Sequence, residues 1–264
     1  MKLYLFIINF LLIIFFSNNS SAGNQPSCNG NFSYNYENFK NTYKIEHIKI
    51  DVFKNKKFQK NNIKNLISRK TVIQDRFKKK FDAKILVQFD NNLKCIFLGR
   101  VRQHGDMKDH IQLKENKIFQ SLDVELNNGH INGIVKFKLF LKNSRNIKED
   151  EIIMIEIFRS LDYLAPRTSL IKANVNGAED IMIFQEKIVK EMLEFNHRRE
   201  GPILEANERF IFQFYDNIYR DGTANYKETL LASENGTKIG LARLSNSKWS
   251  MRSLNHLGIS LNSL

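Results

Sequence analysis

The stretch KANVNGAEDIMIFQEKI, residues 172–188, places two apolar runs on either side of an Asn-Gly pair. Asn-Gly favours the tight turn of a β-hairpin, so the sequence predicts two antiparallel strands here. The second run ends abruptly in Gln185, Glu186 and Lys187. A strand that reaches solvent would end this way. So would a strand that delivers a carboxylate and an amine to the edge of a cleft.

Upstream of this hairpin, apolar and polar residues alternate in several segments, which predicts about five further strands. These segments are residues 44–53, 83–89, 94–102, 118–126 and 134–141. A helical period marks residues 148–164, and further helices are predicted near 58–67, near 187–196 and up to about Tyr219. Strands followed by a helix, a hairpin and more helices predict an α+β fold, a mostly antiparallel sheet with packed helices.

The N-terminus has the features of a signal peptide. Lys2 precedes an apolar run at residues 3–16, and small residues lead up to Ala22. We expect cleavage after Ala22, with an uncleaved anchor as the alternative. The mature chain is then expected to be exported, to a periplasm, a cell envelope or the medium, and to have no transmembrane helix.

The mature chain is predicted to consist of a leader and one domain. Residues 23–43 are rich in Asn, Ser and Gly, which is typical of a flexible leader, and residues 44–264 form the domain. The chain has two cysteines, Cys28 and Cys95. An oxidising compartment allows a disulfide between them, and two separate thiols are the alternative.

The chain is strongly basic, with 41 Lys and Arg against 28 Asp and Glu and a formal net charge of +13. Such a charge favours anionic partners. The lysines are scattered, however, and the densest run is RFKKKF at residues 76–81. Few aromatic residues alternate with basic ones, so nucleic-acid binding is not expected. A protein substrate or an anionic envelope component is the expected partner.

Two pairs of basic residues are candidate ligand contacts. Arg100 and Arg102 lie two residues apart, on one face of a predicted strand. Because guanidinium groups can bind a phosphate or a carboxylate, this pair could contact a ligand. The alternative is that the two arginines are simply exposed on the surface of an edge strand. Lys136 and Lys138 share a strand face in the same way, ahead of a helix that contains Glu156. A strand lysine and a helix glutamate position nucleotide phosphates in kinases.

The segment HGDMKDH contains four residues that can bind metals, namely His104, Asp106, Asp109 and His110. Their spacing matches no established metal motif, and Gly105 interrupts the segment. We therefore favour a polar loop over a metal site.

The order of segments from Arg100 to about Arg209 resembles the bacterial spore-coat CotH family of atypical protein kinases. The resemblance depends on the paired arginines with a glycine, a polar strand pair, a helix that ends in Ala-Pro-Arg, the hairpin with its following glutamate, and a Gly-containing run. These segments are RVRQHG (100–105), SLDVEL (121–126) with VKFKLFLKNSRN (135–146), EIIMIEIFRSLDYLAPRT (151–168), residues 172–188, and REGPILEANE (199–208).

The resemblance implies the N-terminal part of an atypical kinase fold. It also implies phosphate transfer from ATP, with Mg²⁺ or Mn²⁺, to Ser or Thr of a protein. Arg100, Arg102, Lys136 and Lys138 would then contact the phosphates, and Glu186 would orient a lysine or the nucleotide. These roles are implied by the resemblance and not by the spacing.

The family's downstream Asn-Asp pair and Trp-Asp segment supply aspartates for catalysis and metal binding, and neither is found here. Trp249 is followed by Ser250. We therefore expect a truncated or degenerate relative that is inactive by itself. The alternative function is a non-catalytic binding or structural module of the cell envelope with the same fold.

Overall fold

The computed structural model describes residues 26–29, 43–70, 72–144, 149–201, 203–205 and 243–244. These residues contain twelve strands and three α-helices. The strands are β1 (Ser27–Cys28), β2 (Ile45–Val52), β3 (Phe81–Phe89), β4 (Lys94–Gln103), β5 (Ile111–Lys114), β6 (Lys117–Gln120), β7 (Leu122–Leu126), β8 (Lys136–Leu141), β9 (Thr168–Val175), β10 (Ala178–Glu186), β11 (Leu204–Glu205) and β12 (Arg243–Leu244). The helices are α1 (Asn55–Leu66), α2 (Asp150–Ser160) and α3 (Lys190–Phe195).

Seven strands close into a barrel. They are hydrogen-bonded in the order β4, β3, β2, β9, β10, β8 and β7, and β7 pairs again with β4. Val101 of β4 lies opposite Val124 of β7 where the barrel closes. All pairings in the barrel are antiparallel except that of β2 with β9, which is parallel.

Alternate side chains of these strands point inward and form the hydrophobic core. Ile48, Ile85, Phe97, Phe137 and Leu139 have no solvent exposure. Burying each such side chain stabilises the fold by roughly 1.5–3 kcal/mol relative to leaving it in water. The next residue along each strand points outward, so strand register decides which polar groups meet on the barrel surface.

The prediction of an α+β fold with packed helices, similar to the N-terminal part of an atypical kinase fold, is wrong. The fold is mostly β, a closed seven-stranded barrel with only three α-helices in the described part of the chain. Most of the strands themselves are present as predicted. Closure depends on the distant pairings of β4 with β7 and of β2 with β9, and local periodicity contains no information about them.

The predicted hairpin is confirmed as β9 and β10. Asn176 and Gly177 have φ angles of 49° and 88°, the left-handed conformation that a two-residue hairpin turn requires. The side-chain oxygen of Asn176 also accepts a hydrogen bond of 2.8 Å from the backbone N–H of Val52. The turn is thereby attached to the end of β2.

Cys28 of β1 lies directly opposite Cys95 of β4, and the two form the disulfide that the cysteine count allowed. The bond holds part of the predicted leader against the barrel. The predicted signal peptide and the predicted helix up to Tyr219 lie outside the described residues. Within the described residues, no helix has both the length and the apolar character needed to cross a membrane.

Candidate functional site

The outward side chains of β4, β7 and β8, together with Lys80 and Lys187 beside them, form one charged surface, called here the charged face. Its strand residues form two rows across the strands. In one row Arg100 lies opposite Glu125, which lies opposite Lys136. In the other row Arg102 lies opposite Asp123, which lies opposite Lys138.

These rows follow from strand alternation. Val101, Val124 and Phe137 point into the core, so the residues on either side of each point outward. The structure therefore brings together the four basic residues that the sequence singled out. It also places two carboxylates between them, which the sequence analysis did not anticipate.

Glu125 is the centre of the first row. Its carboxylate accepts hydrogen bonds of 2.9 Å from Lys80 and 3.1 Å from Arg100, and it forms an ion pair of 3.4 Å with Lys136. Partial burial alone would raise the pKa of Glu125. The Lys80 hydrogen bond and the charges of Lys136, Lys80 and Arg100 outweigh burial and lower this pKa to about 2.

Asp123 is the centre of the second row and is only 12% exposed. Arg102 Nε donates a hydrogen bond of 2.8 Å to one carboxylate oxygen, and Arg102 Nη2 lies 2.6 Å from the same oxygen in an ion pair. His104 Nδ1 lies 3.1 Å from the other oxygen. Burial would raise the pKa of Asp123, but the His104 hydrogen bond and the charges of Lys187 and Arg102 lower it. Asp123 is therefore ionised at neutral pH.

His104 belongs to a buried part of the same network. Its ring packs edge-on against Phe140 at 4.9 Å and against His110 at 5.4 Å between ring centroids. Burial lowers the pKa of His104, and the charge of Lys138 adds to this, while Asp123 only partly offsets the effect. The imidazole is therefore neutral at pH 7, and Nδ1–H donates to Asp123.

The charged face surrounds an open pocket of about 190 Å³. Ligand pockets for drug-sized molecules are typically about 300–1,000 Å³, so this pocket is small and encloses about one charged group. Five cations and two carboxylates line the pocket, which leaves an excess of three positive charges. The charged lining residues are Lys80, Arg100, Arg102, Lys136, Lys187, Asp123 and Glu125.

Glu186 lies on the other face of the sheet. It is opposite Phe137 in register, points inward and is only 2% exposed. Arg167 grips its two oxygens, from Nη2 at 2.8 Å and from Nε at 2.9 Å. The Arg167 guanidinium stacks on Phe195 at 3.7 Å. The structure therefore does not bring Glu186 together with Lys136 and Lys138, which point outward.

The polar residues at the end of β10 point in different directions. Gln185 points outward and donates a hydrogen bond of 3.1 Å to Glu151 of α2. Glu186 enters the end of the barrel, and Lys187 lines the charged pocket. Three consecutive polar residues thus contribute to three different environments.

Polar side chains of the HGDMKDH segment contact different partners. His104 binds Asp123, Asp106 forms an ion pair with Lys78, and His110 Nδ1 lies 2.9 Å from Ser121 Oγ. Among the described residues, no group of three or more His, Cys, Asp or Glu side chains is arranged to hold a metal ion.

Three contributors to the charged face were missed by sequence reasoning, namely Lys80, Asp123 and Glu125. For two of them a signal existed. Asp123 and Glu125 flank Val124 in a predicted strand, which places both carboxylates on one face. The local sequence does not show which strands would lie beside these two carboxylates.

No family model matches the chain, and no curated protein is significantly similar to it in sequence. The resemblance to CotH-family kinases therefore rests on the order of segments alone and remains a prediction.

Proposed function

We propose that this chain is a non-catalytic binding module that holds an anionic group of a cell-envelope component in the pocket of the charged face. The observation that carries the proposal is the excess of cations, five against two carboxylates around one small pocket. The expected ligand group is a phosphate, a sulfate or a carboxylate on a larger envelope molecule such as a glycan.

The two carboxylates hold the cations in place for such a ligand. Glu125 contacts Lys80, Arg100 and Lys136, and Asp123 contacts Arg102. Less side-chain freedom is then lost when an anion binds. Because Arg100 keeps 43% and Lys136 keeps 38% of its side chain exposed, both retain surface for a ligand.

Phosphate transfer from ATP is the second candidate, favoured by the ion pair between Lys136 and Glu125. A strand lysine beside a glutamate is how kinases position nucleotide phosphates. The small volume of the pocket and the inward position of Glu186 weigh against a nucleotide at this surface. We therefore place the binding module first.

The test is calorimetric titration of the protein with a phosphorylated oligosaccharide, an oligogalacturonate and ATP with Mg²⁺. We expect the Arg100→Gln/Arg102→Gln variant to bind an anionic oligosaccharide at least about tenfold more weakly, since each charge-assisted hydrogen bond contributes roughly 1.5–3 kcal/mol. The matched control is Lys84→Gln/Lys94→Gln, which removes two exposed charges from β3 and β4 outside the pocket.

Equal losses in the variant and in the control would overturn the proposal. So would the absence of binding to either oligosaccharide. Binding of ATP alone, with transfer of its labelled phosphate to a protein, would favour the kinase candidate instead.

A further inference from the structure

Helix α1 has a fixed inner face. Phe58 is buried in the core and packs edge-on against Phe81, with the ring centroids 5.3 Å apart. Asn62 and Asn65 on the same side are also buried. Lys108 donates a hydrogen bond to the backbone oxygen of Asn65 at the end of the helix. The orientation of α1 on the barrel is therefore set.

The outer face of α1 is basic without any acidic residue. No Asp or Glu occurs from Phe53 to Lys70. The exposed basic side chains of α1 and of the residue before it are Lys54, Lys56, Lys57, Lys60 and Lys64. On a helix surface, residues three and four apart are neighbours, so Lys56, Lys60 and Lys64 form one stripe.

Large apolar side chains are exposed on the same outer surface. Ile63 is 48% exposed, Ile67 is 72% exposed, and Phe53 just before the helix is 61% exposed. An open, shallow depression lies between the side chains of Lys56, Lys60, Ile63 and Lys64 on the outer side of the helix. The outer surface of α1 thus alternates lysines with aliphatic groups.

A second basic run lies beside the helix. The side chain of Asn61 donates a hydrogen bond of 2.8 Å to the backbone oxygen of Phe77. This contact brings the RFKKKF segment, 76–81, to the helix, and Arg76 and Lys79 of that segment are exposed. Two basic runs that are separate in sequence therefore lie side by side, and together they are called here the α1 surface.

We propose that the α1 surface docks on a lipid membrane that contains anionic headgroups. Lysines near such a surface are attracted to the headgroups, and the exposed isoleucines enter the boundary with the acyl chains. The combination of lysines and exposed aliphatic groups favours a membrane over a nucleic acid or a glycan. A nucleic acid or an acidic glycan would pair with the lysines but would offer no apolar phase to Ile63 and Ile67.

The test is co-sedimentation of the full chain with vesicles of phosphatidylcholine, with and without phosphatidylglycerol. We expect binding only when phosphatidylglycerol is present. Lys56→Gln/Lys60→Gln/Lys64→Gln should weaken binding on the order of 100-fold, because each basic residue near the surface contributes about fivefold. The matched control is Lys84→Gln/Lys94→Gln/Lys172→Gln, which removes the same charge from exposed positions on three strands.

A second pair of variants tests the aliphatic contribution. Ile63→Ser/Ile67→Ser should weaken vesicle binding several-fold, and Leu113→Ser/Ile188→Ser, which changes two exposed apolar residues elsewhere, should not. Melting curves show whether each variant is folded. Equal losses in a variant and its control would overturn the proposal, and so would binding to heparin or DNA without binding to vesicles.

Discussion

The charged face and the buried end of the barrel both contain arginine–carboxylate pairs, but the balance of charge differs. At the barrel end one guanidinium, Arg167, is matched to one carboxylate, Glu186, and only 13% and 2% of their side chains are exposed. On the charged face five cations share two carboxylates around an open pocket. A matched, enclosed pair has no capacity left for a ligand, whereas an exposed excess of positive charge does. We therefore assign a structural role to the first and propose binding for the second.

The largest expected effect is that of breaking the enclosed pair. Glu186→Gln leaves the Arg167 charge buried without its counter-ion, and we expect a loss of about 3–5 kcal/mol in the free energy of unfolding. Glu125→Gln on the charged face should cost about 1 kcal/mol or less, since its partners remain hydrated. Urea denaturation of both variants measures the difference.

Replacing both partners provides the control. Arg167→Met/Glu186→Leu removes the two buried charges together and should be less destabilised than Glu186→Gln alone. If Glu125→Gln proves the more destabilising substitution, the distinction between the two regions fails.

The second largest expected effect is that of removing the disulfide between β1 and β4. Arg100 and Arg102 lie on the same strand, β4. Cys28→Ser/Cys95→Ser opens a link between residues 67 apart and should lower the free energy of unfolding by about 2–4 kcal/mol. Anion affinity should stay within about twofold of the parent value, because the pocket residues are held by their own register. Titration calorimetry on the folded variant measures this affinity. A loss of affinity would show that anion binding at the charged face depends on the attachment of β1.

The smallest effect is on the pH dependence of stability, to which His104 and Glu125 of the charged face contribute. Because the pKa of His104 is lowered on folding, its stabilising contribution is complete above the unfolded value of about 6.5 and is lost as the pH falls. Glu125 contributes above its unfolded value of about 4.5, and its contribution is lost as the pH falls towards about 2.

Two variants separate these steps. His104→Gln should flatten the decline of the unfolding free energy just below pH 6.5 and leave the acidic step. Glu125→Gln should flatten the step below pH 4.5. The measurement is the free energy of unfolding as a function of pH. If neither variant changed this profile, the assignments to His104 and Glu125 would be contradicted.

Local pattern predicted the strands well because alternation reflects which side of a strand is buried. β2, predicted at 44–53, spans Ile45–Val52, and the Asn-Gly hairpin is at its predicted position. The barrel could not be predicted, because β4 meets β7 only through long-range register. For the same reason Arg100 could be placed on a strand face but not opposite Glu125.

The inward position of Glu186 depends on long-range pairing in the same way. The sequence shows that Gln185, Glu186 and Lys187 end a strand, but not which side of that strand faces the barrel interior. That side depends on the pairing of Glu186 with Phe137, an inward residue of β8. The sequence predicts a cleft position for Glu186, and in the structure its carboxylate is paired with the largely buried Arg167.

The most direct test of the contrast between the two regions is an NMR titration of the protein with a phosphorylated oligosaccharide. If the charged face binds the anionic group, the backbone amide shifts will change at β4, β7 and the start of β8, around Arg100, Glu125 and Lys136. Amides around Arg167 and Phe195 will stay unchanged. Shift changes centred on Arg167, or no changes at either place, would contradict the assignment of binding to the charged face.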